Sequence, residues 1–94
     1  MFHVYILFSP SLDRHYIGQT GDVHRRLAFH AAHSTPFTAQ ADDWTLVFLQ
    51  PVNSRTEATA LEQRIKKAKS RTTIARFVRD PRNTLPAPIP LCDW

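Results

Sequence analysis

Between Val4 and His30 the chain reads V-Y-I-L-F-S-P-S-L-D-R-H-Y-I-G-Q-T-G-D-V-H-R-R-L-A-F-H, and no other stretch restricts the fold as much. Val4 to Phe8 is apolar, β-branched and aromatic, which predicts a strand. His15 to Gly18 predicts a second strand, with Ser9-Pro10-Ser11 and Asp13 supplying turn chemistry between them. Pairing the two antiparallel with Tyr5 opposite Tyr16 sets Phe8 across from Asp13 over a four-residue loop. Both phenols then share one face, where His3 lies opposite Gly18 and Leu7 opposite Arg14. Val4, Ile6, Phe8 and Ile17 take the other face, which is apolar enough to be core. A glycine beside two phenols also lets another backbone come close.

A helix start follows at once. Thr20 and Asp22 are the candidate caps, and Val23, Leu27 and Ala31 form the apolar line. Arg26 and His30, at i and i+4, stack on one face, with His33 a step further. Two tyrosines, an arginine and a histidine therefore converge on one patch.

The middle of the chain is plainer. Ser34 to Asp43 is polar, contains Pro36 and reads as a loop, with Phe37 either tucked under the body or at a binding surface. Trp44 to Leu49 predicts a central strand ended by Pro51. Ser54-Arg55-Thr56-Glu57 matches a capping box, and Ala58, Leu61, Ile65 and Ala68 form the buried stripe of the helix it opens. Glu57 is explained by the cap. Glu62 flanks the stripe, and its plain role is an exposed partner of Lys66 at i+4, worth ~0.3–0.5 kcal/mol. After a break at Ser70-Arg71-Thr72-Thr73, Ile74, Phe77 and Val78 predict a short third helix stopped before Asp80-Pro81. The rest is an extended proline-rich tail, whose Leu85, Ile89, Leu91 and Trp94 either dock on the body, meet a second copy to give a homodimer, or stay loosely ordered.

The order strand, strand, helix, strand, helix, helix predicts an α+β fold with a three-stranded, mainly antiparallel sheet flanked by helices. The expected division is a single domain over 1–80 and a tail over 81–94. With 43% hydrophobic residues in 94, one modest core burying roughly 60–65% of the unfolded surface is expected. A single cysteine, Cys92, excludes an internal disulfide and a cysteine-rich zinc site. His30 and His33 have no partners to complete a zinc set. No signal-peptide pattern and no membrane-length apolar run is visible, so a cytoplasmic, soluble protein is expected.

The net charge of +4 is one-sided: residues 1–50 carry −1 and residues 51–94 carry +5, with nine bases between Arg55 and Arg82. Such a surface fits a nucleic-acid binder, although a solvated helix face is the plain alternative.

The segment from Val4-Tyr5-Ile6 through Tyr16-Ile17-Gly18-Gln19-Thr20 and Arg25-Arg26-Leu27-Ala28-Phe29-His30 resembles the GIY-YIG nuclease superfamily, closest to its small stand-alone bacterial members. Arg55 to Lys66 looks like the helix that carries the family's metal-binding glutamate. The resemblance covers Phe2 to Val78 and implies a metal-dependent endonuclease that nicks or cuts branched DNA, with a role in repair or recombination. It implies that Tyr5 and Tyr16 surround the attacking water, one serving as general base, and that Gly18 keeps the backbone low beside them. It implies further that Arg26 grips the scissile phosphate, that His30 is a site residue, and that Glu62 holds one Mg2+ or Mn2+. Arg25, Lys66, Lys69 and Arg71 are the expected DNA contacts. His3 stands where the family has its first glycine, and the asparagine many members carry has no match, since Asn53 precedes the glutamate and Asn83 follows the helices.

The chemistry is coherent. Phosphodiester hydrolysis needs an activated water and neutralised phosphoryl oxygens. One carboxylate with water and phosphate suffices for magnesium, and the guanidinium fork of Arg26 meets phosphate bidentately. At an ordinary pKa near 10, about one phenol in a thousand is ionised at pH 7. Either Arg26 and the metal depress the tyrosine's pKa, or the proton goes to His30 or the phosphate. Activity is then expected to rise between pH 7 and 9. The alternative is a nucleic-acid-binding module with the same fold and little or no catalysis.

Overall fold

Residues 2–9 alternate strictly between the two faces of a strand, and each face finds its own core. The computed structural model describes residues 1–32, 38–67 and 71–91. Strand β1 (Phe2–Ser9) pairs antiparallel with β2 (Arg14–Thr20) on one side and with β3 (Thr45–Val52) on the other. A two-residue strand, β4 (Ile89–Pro90), pairs with β3, giving the order β2-β1-β3-β4. Helix α1 (Val23–Ala31) covers one face of this sheet, and α2 (Arg55–Lys67) and α3 (Arg71–Arg79) cover the other. A 3-10 turn at Thr38–Gln40 lies between α1 and β3.

The fold is thus α+β as the sequence implies, but its sheet has four strands, not three. The extra strand comes from the proline-rich segment. Leu91 N–H donates to the Trp44 carbonyl at 2.9 Å, and the Leu91 side chain is buried with Tyr5, Leu7, Leu27, Trp44 and Leu46. On the opposite face Val4, Ile6 and Phe48 pack against Ala58, Leu61 and Ile65 of α2 and Ile74 of α3. β3 continues through Pro51 to Val52 instead of ending before it. A bulge where β1 passes from Ile6 to Leu7 lets Val47 and Phe48 both pack toward α2 and α3, while Leu46 and Leu49 join the other core.

The β1–β2 register differs from the one expected. Tyr5 faces Gly18, Leu7 faces Tyr16 and Ser9 faces Arg14, two residues from the pairing of Tyr5 with Tyr16. A shift of two preserves the faces, so the tyrosines still point the same way. The reason lies in the turn. Asp13 adopts φ 55°, and Asp43, just before β3, clamps the loop: Ser9 Oγ donates to its Oδ1 at 2.6 Å and the Ser11 N–H to its Oδ2 at 2.7 Å. Those bonds hold the Asp43 carboxyl below its ordinary range, chiefly through Ser9.

Helix ends follow their sequence signals. Asp22 caps α1 by accepting from the Arg25 N–H at 3.1 Å. Ser54 accepts from the Glu57 N–H at 3.2 Å, while the Glu57 carboxylate reaches back to the Asn53 N–H at 2.9 Å, one residue earlier than in the expected box. Asn83 is a structural clamp. Its amide oxygen accepts from the N–H groups of Leu49 and Leu85, both at 3.1 Å, and its amide nitrogen donates to the carbonyls of Val47 (3.0 Å) and Val78 (2.8 Å). One side chain thus joins β3, the end of α3 and the returning tail. Asn83→Ala is expected to lower unfolding stability by about 1–3 kcal/mol in urea titration, because it strands several backbone groups, whereas exposed Arg82→Ala leaves it nearly unchanged.

Candidate active site

On the α1 face Tyr5 and Gly18 lie directly opposite, and the phenol leans across the glycine toward the open edge of β2. A Cβ at Gly18 would fall 2.5 Å from the Tyr5 hydroxyl and 3.2 Å from the Tyr16 ring. Tyr5 is wholly buried, so its ring has nowhere to withdraw, and only glycine fits beneath it.

α1 brings the other groups. His30, 1% exposed, places Nε2 at 2.9 Å from the Tyr5 hydroxyl. Its ring meets those of both tyrosines edge-on, with centroids 5.6 Å from Tyr5 and 4.9 Å from Tyr16. Arg26 Nε donates to the Tyr5 oxygen at a long 3.4 Å, and Arg26 also interacts with Tyr16. Because a guanidinium can only donate, the Tyr5 oxygen accepts there, and assigning its own proton to His30 Nε2 gives that proton an acceptor. The imidazole proton then sits on Nδ1, which is buried without a hydrogen-bond partner.

Burial governs the electrostatics. It pushes the Tyr5 phenol up to about 12 and outweighs the opposing pull of Arg26. It also pulls His30 down to about 4, with the Arg26 charge acting in the same sense. Arg26 is held more firmly cationic by its bond to Tyr5. A protonated phenol, a neutral imidazole and a fixed guanidinium therefore stand together near neutral pH. The expectation that Arg26 would lower a phenol's pKa fails for Tyr5, because desolvation of the anion is the larger effect. Tyr16, by contrast, is only partly buried.

Glu62 stands on a helix that packs on the other face of the sheet. α2 packs on the opposite face but leans over β2, where Gln19 Nε2 donates to Thr59 Oγ1 at 3.0 Å. Glu62, three residues beyond Thr59, is close enough that its charge helps keep Tyr5 protonated. Its side chain is 13% exposed, and Lys66 Nζ lies 3.4 Å from Oε2. The predicted pair with Lys66 is present, but around a largely buried carboxylate. Gln19 and Thr59, which fix α2 against β2, were not singled out from the sequence. The signal was there: Gln19 alternates to the face opposite Gly18. Its Oε1 is buried without a partner.

Arg25 is exposed on α1, and Lys66 is exposed beside Glu62. Lys69, His33, Phe37, Cys92 and Trp94 lie outside the described residues, as does the side chain of Arg71. No group of three or more His, Cys, Asp or Glu able to hold a metal occurs among the described residues. A single hard carboxylate fits a magnesium-type ion that keeps most of its water, and does not fit zinc. A groove of about 370 Å3 lined by Phe8, His15, Val47, Ile74, Val78 and Arg79 lies on the α3 face, away from the tyrosines.

A family model described as the GIY-YIG catalytic domain matches residues 1–75 of the chain. The protein belongs to this family, whose members are endonucleases built on a nuclease-type fold. Neither a curated protein nor a solved structure matches it. No helix of the described residues is long and apolar enough to cross a membrane.

The buried neutral imidazole sets a pH dependence of stability. The unfolded chain takes up a proton at His30 near pH 6.5, while the fold refuses it until about 4. Stability from this group is complete above 6.5 and falls as the pH drops toward 4, by an amount on the order of 3 kcal/mol. Urea titrations at pH 7.5 and 4.5 are expected to show this loss, and His30→Gln to remove most of it. The smaller remainder comes from His3 and His15, which burial also lowers.

Proposed function

We propose that the protein is an endonuclease that hydrolyses DNA phosphodiester bonds with one divalent cation, Mg2+ or Mn2+, and that it acts on branched or interrupted DNA of the kind met in repair and recombination. What supports this reading is that Arg26 bonds the Tyr5 hydroxyl and interacts with Tyr16, beside Gly18, while the charge of Glu62 acts on the same hydroxyl from a helix of the opposite face.

Each residue has a role that follows from its exposure. Arg26 takes a non-bridging phosphate oxygen, and its bond to Tyr5 restrains it in advance. Glu62 holds the cation, which when bound supplies charge neutralisation on the phosphoryl group. Lys66, exposed and paired with Glu62, would contact the DNA backbone in this scheme. Tyr16 is the phenol that an attacking water can touch, and it is the general base in this scheme. Tyr5 and His30 are buried, so they act through others: they fix Arg26 and the face of Gly18. The cationic ends of α2 and α3, with Arg64, Lys66, Lys67, Arg76 and Arg79, supply the wider attraction for DNA.

The second reading, a nucleic-acid-binding module without catalysis, draws on the Glu62 carboxylate already satisfied by Lys66 and on Asn83 being engaged in the fold. Labelled branched and linear DNA incubated with wild type and Glu62→Ala, in Mg2+ or EDTA, separates the two. Cleavage by wild type that drops at least about 100-fold in both controls supports the enzyme. Equal binding by both proteins without product supports the module.

The two tyrosines are separable by pH. Wild-type cleavage is expected to rise between pH 7 and 9 and to lose most of its rate and this slope in Tyr16→Phe. Tyr5→Phe is expected to keep the slope at a reduced rate, since a phenol near 12 does not titrate in that range. A slope that disappears only in Tyr5→Phe would overturn the assignment.

A further inference from the structure

Phe29 is 46% exposed, and with Met1 it makes up the large apolar side chains open to solvent among the described residues. Its place on α1 gives this exposure meaning. Leu27 and His30 are buried, with Val23 and Ala31 partly buried beside them. Phe29 follows Arg26 by three residues and Arg25 by four, so it neighbours both on the helix, with Arg25 exposed and Arg26 partly buried. Arg26 is tied to the Tyr5 hydroxyl, which fixes one end of the row at the candidate site.

The chemistry of the row names its occupant. A guanidinium restrained beside the site suits a phosphate, and an open ring one helical turn away suits a flat, apolar group carried on that phosphate's own chain. Proteins that grip unpaired strands combine these two elements, cations along the backbone and aromatic rings under the bases. Bases inside an intact duplex are already stacked and do not reach a ring on a helix surface, whereas an unpaired base does. A second copy of this chain is disfavoured as the occupant: a two-fold contact centred on Phe29 would bring Arg25 and Arg26 of both copies together as like charges.

We propose that Phe29, flanked by Arg25 and Arg26, is a stacking subsite for one unpaired nucleobase next to the phosphate held by Arg26, and that it directs the site to gapped or branched DNA in preference to intact duplex. The proposal rests on the nucleic-acid reading given above and deepens it.

The test measures binding of the full chain in EDTA, so that no cleavage intervenes. Fluorescence anisotropy gives Kd for a duplex with a short single-stranded gap, for the same duplex with abasic residues in the gap, and for the intact duplex. Phe29→Ala and Phe29→Leu are expected to weaken binding to the gapped duplex roughly 5- to 100-fold and to leave intact duplex unchanged, while Phe29→Tyr stays within about twofold of wild type. The abasic gap is expected to bind wild type as weakly as the normal gap binds Phe29→Ala. A 2-aminopurine in the gap is expected to be quenched by wild type and not by Phe29→Ala.

Equal weakening for gapped and intact DNA, no weakening, or full retention by Phe29→Leu would overturn the subsite. So would a wild-type dimer in sedimentation that Phe29→Ala dissolves. Cleavage in Mg2+ is scored separately. Ring-dependent gap binding without cleavage upholds the subsite and sinks the nuclease, and cleavage indifferent to Phe29 does the reverse. A wild type that binds no DNA sinks both.

Discussion

A single phenol hydroxyl organises this end of the molecule. The Tyr5 oxygen crosses Gly18, bonds to His30 Nε2 at 2.9 Å and receives the Nε–H of Arg26 at 3.4 Å. It therefore ties β1 to the edge strand and both to α1. Because the group is fully buried, its partners cannot be exchanged for water, and unmade bonds there are costly. The glycine, the histidine and the hairpin are consequences of one space-filling problem: a ring must lie flat across a strand and still find a polar partner.

The sheet is covered on both faces, which decides how a carboxylate from α2 can approach groups from α1. Side chains rooted on opposite faces cannot meet through a sheet. They can meet around its edge, and β2 is an edge strand. The Gln19–Thr59 bond holds α2 over that edge. That edge strand is the rim along which Tyr16, Gly18 and Gln19 lie.

Charge at this rim is set by burial more than by pairing. Tyr5 stays protonated and His30 neutral, so neither cancels Arg26, whose positive charge remains available to an anion. The same balance divides the two tyrosines: one is locked as structure and the other remains accessible at the surface.

Much of this was legible along the chain. The alternation of Val4 to Phe8, the caps at Asp22 and Ser54, the stripe of Ala58, Leu61 and Ile65, and the common face of Tyr5 and Tyr16 all depend on period and local hydrogen bonding, which neighbouring residues specify. The register was missed because the turn is held by Asp43, some thirty residues from Ser11 along the chain, and no local rule contains that bond. The fourth strand was missed because a proline-rich stretch carries no strand signal, and its docking depends on a core surface that exists only once β3 and α1 are in place. Sequence by itself determined which face of its own element each of these residues occupies. Only the tertiary structure decided that Tyr5 is sealed while Tyr16 is partly exposed, and that the charge of Glu62 bears on Tyr5 from a helix of the opposite face, because burial and approach are properties of packed surfaces and not of any one segment.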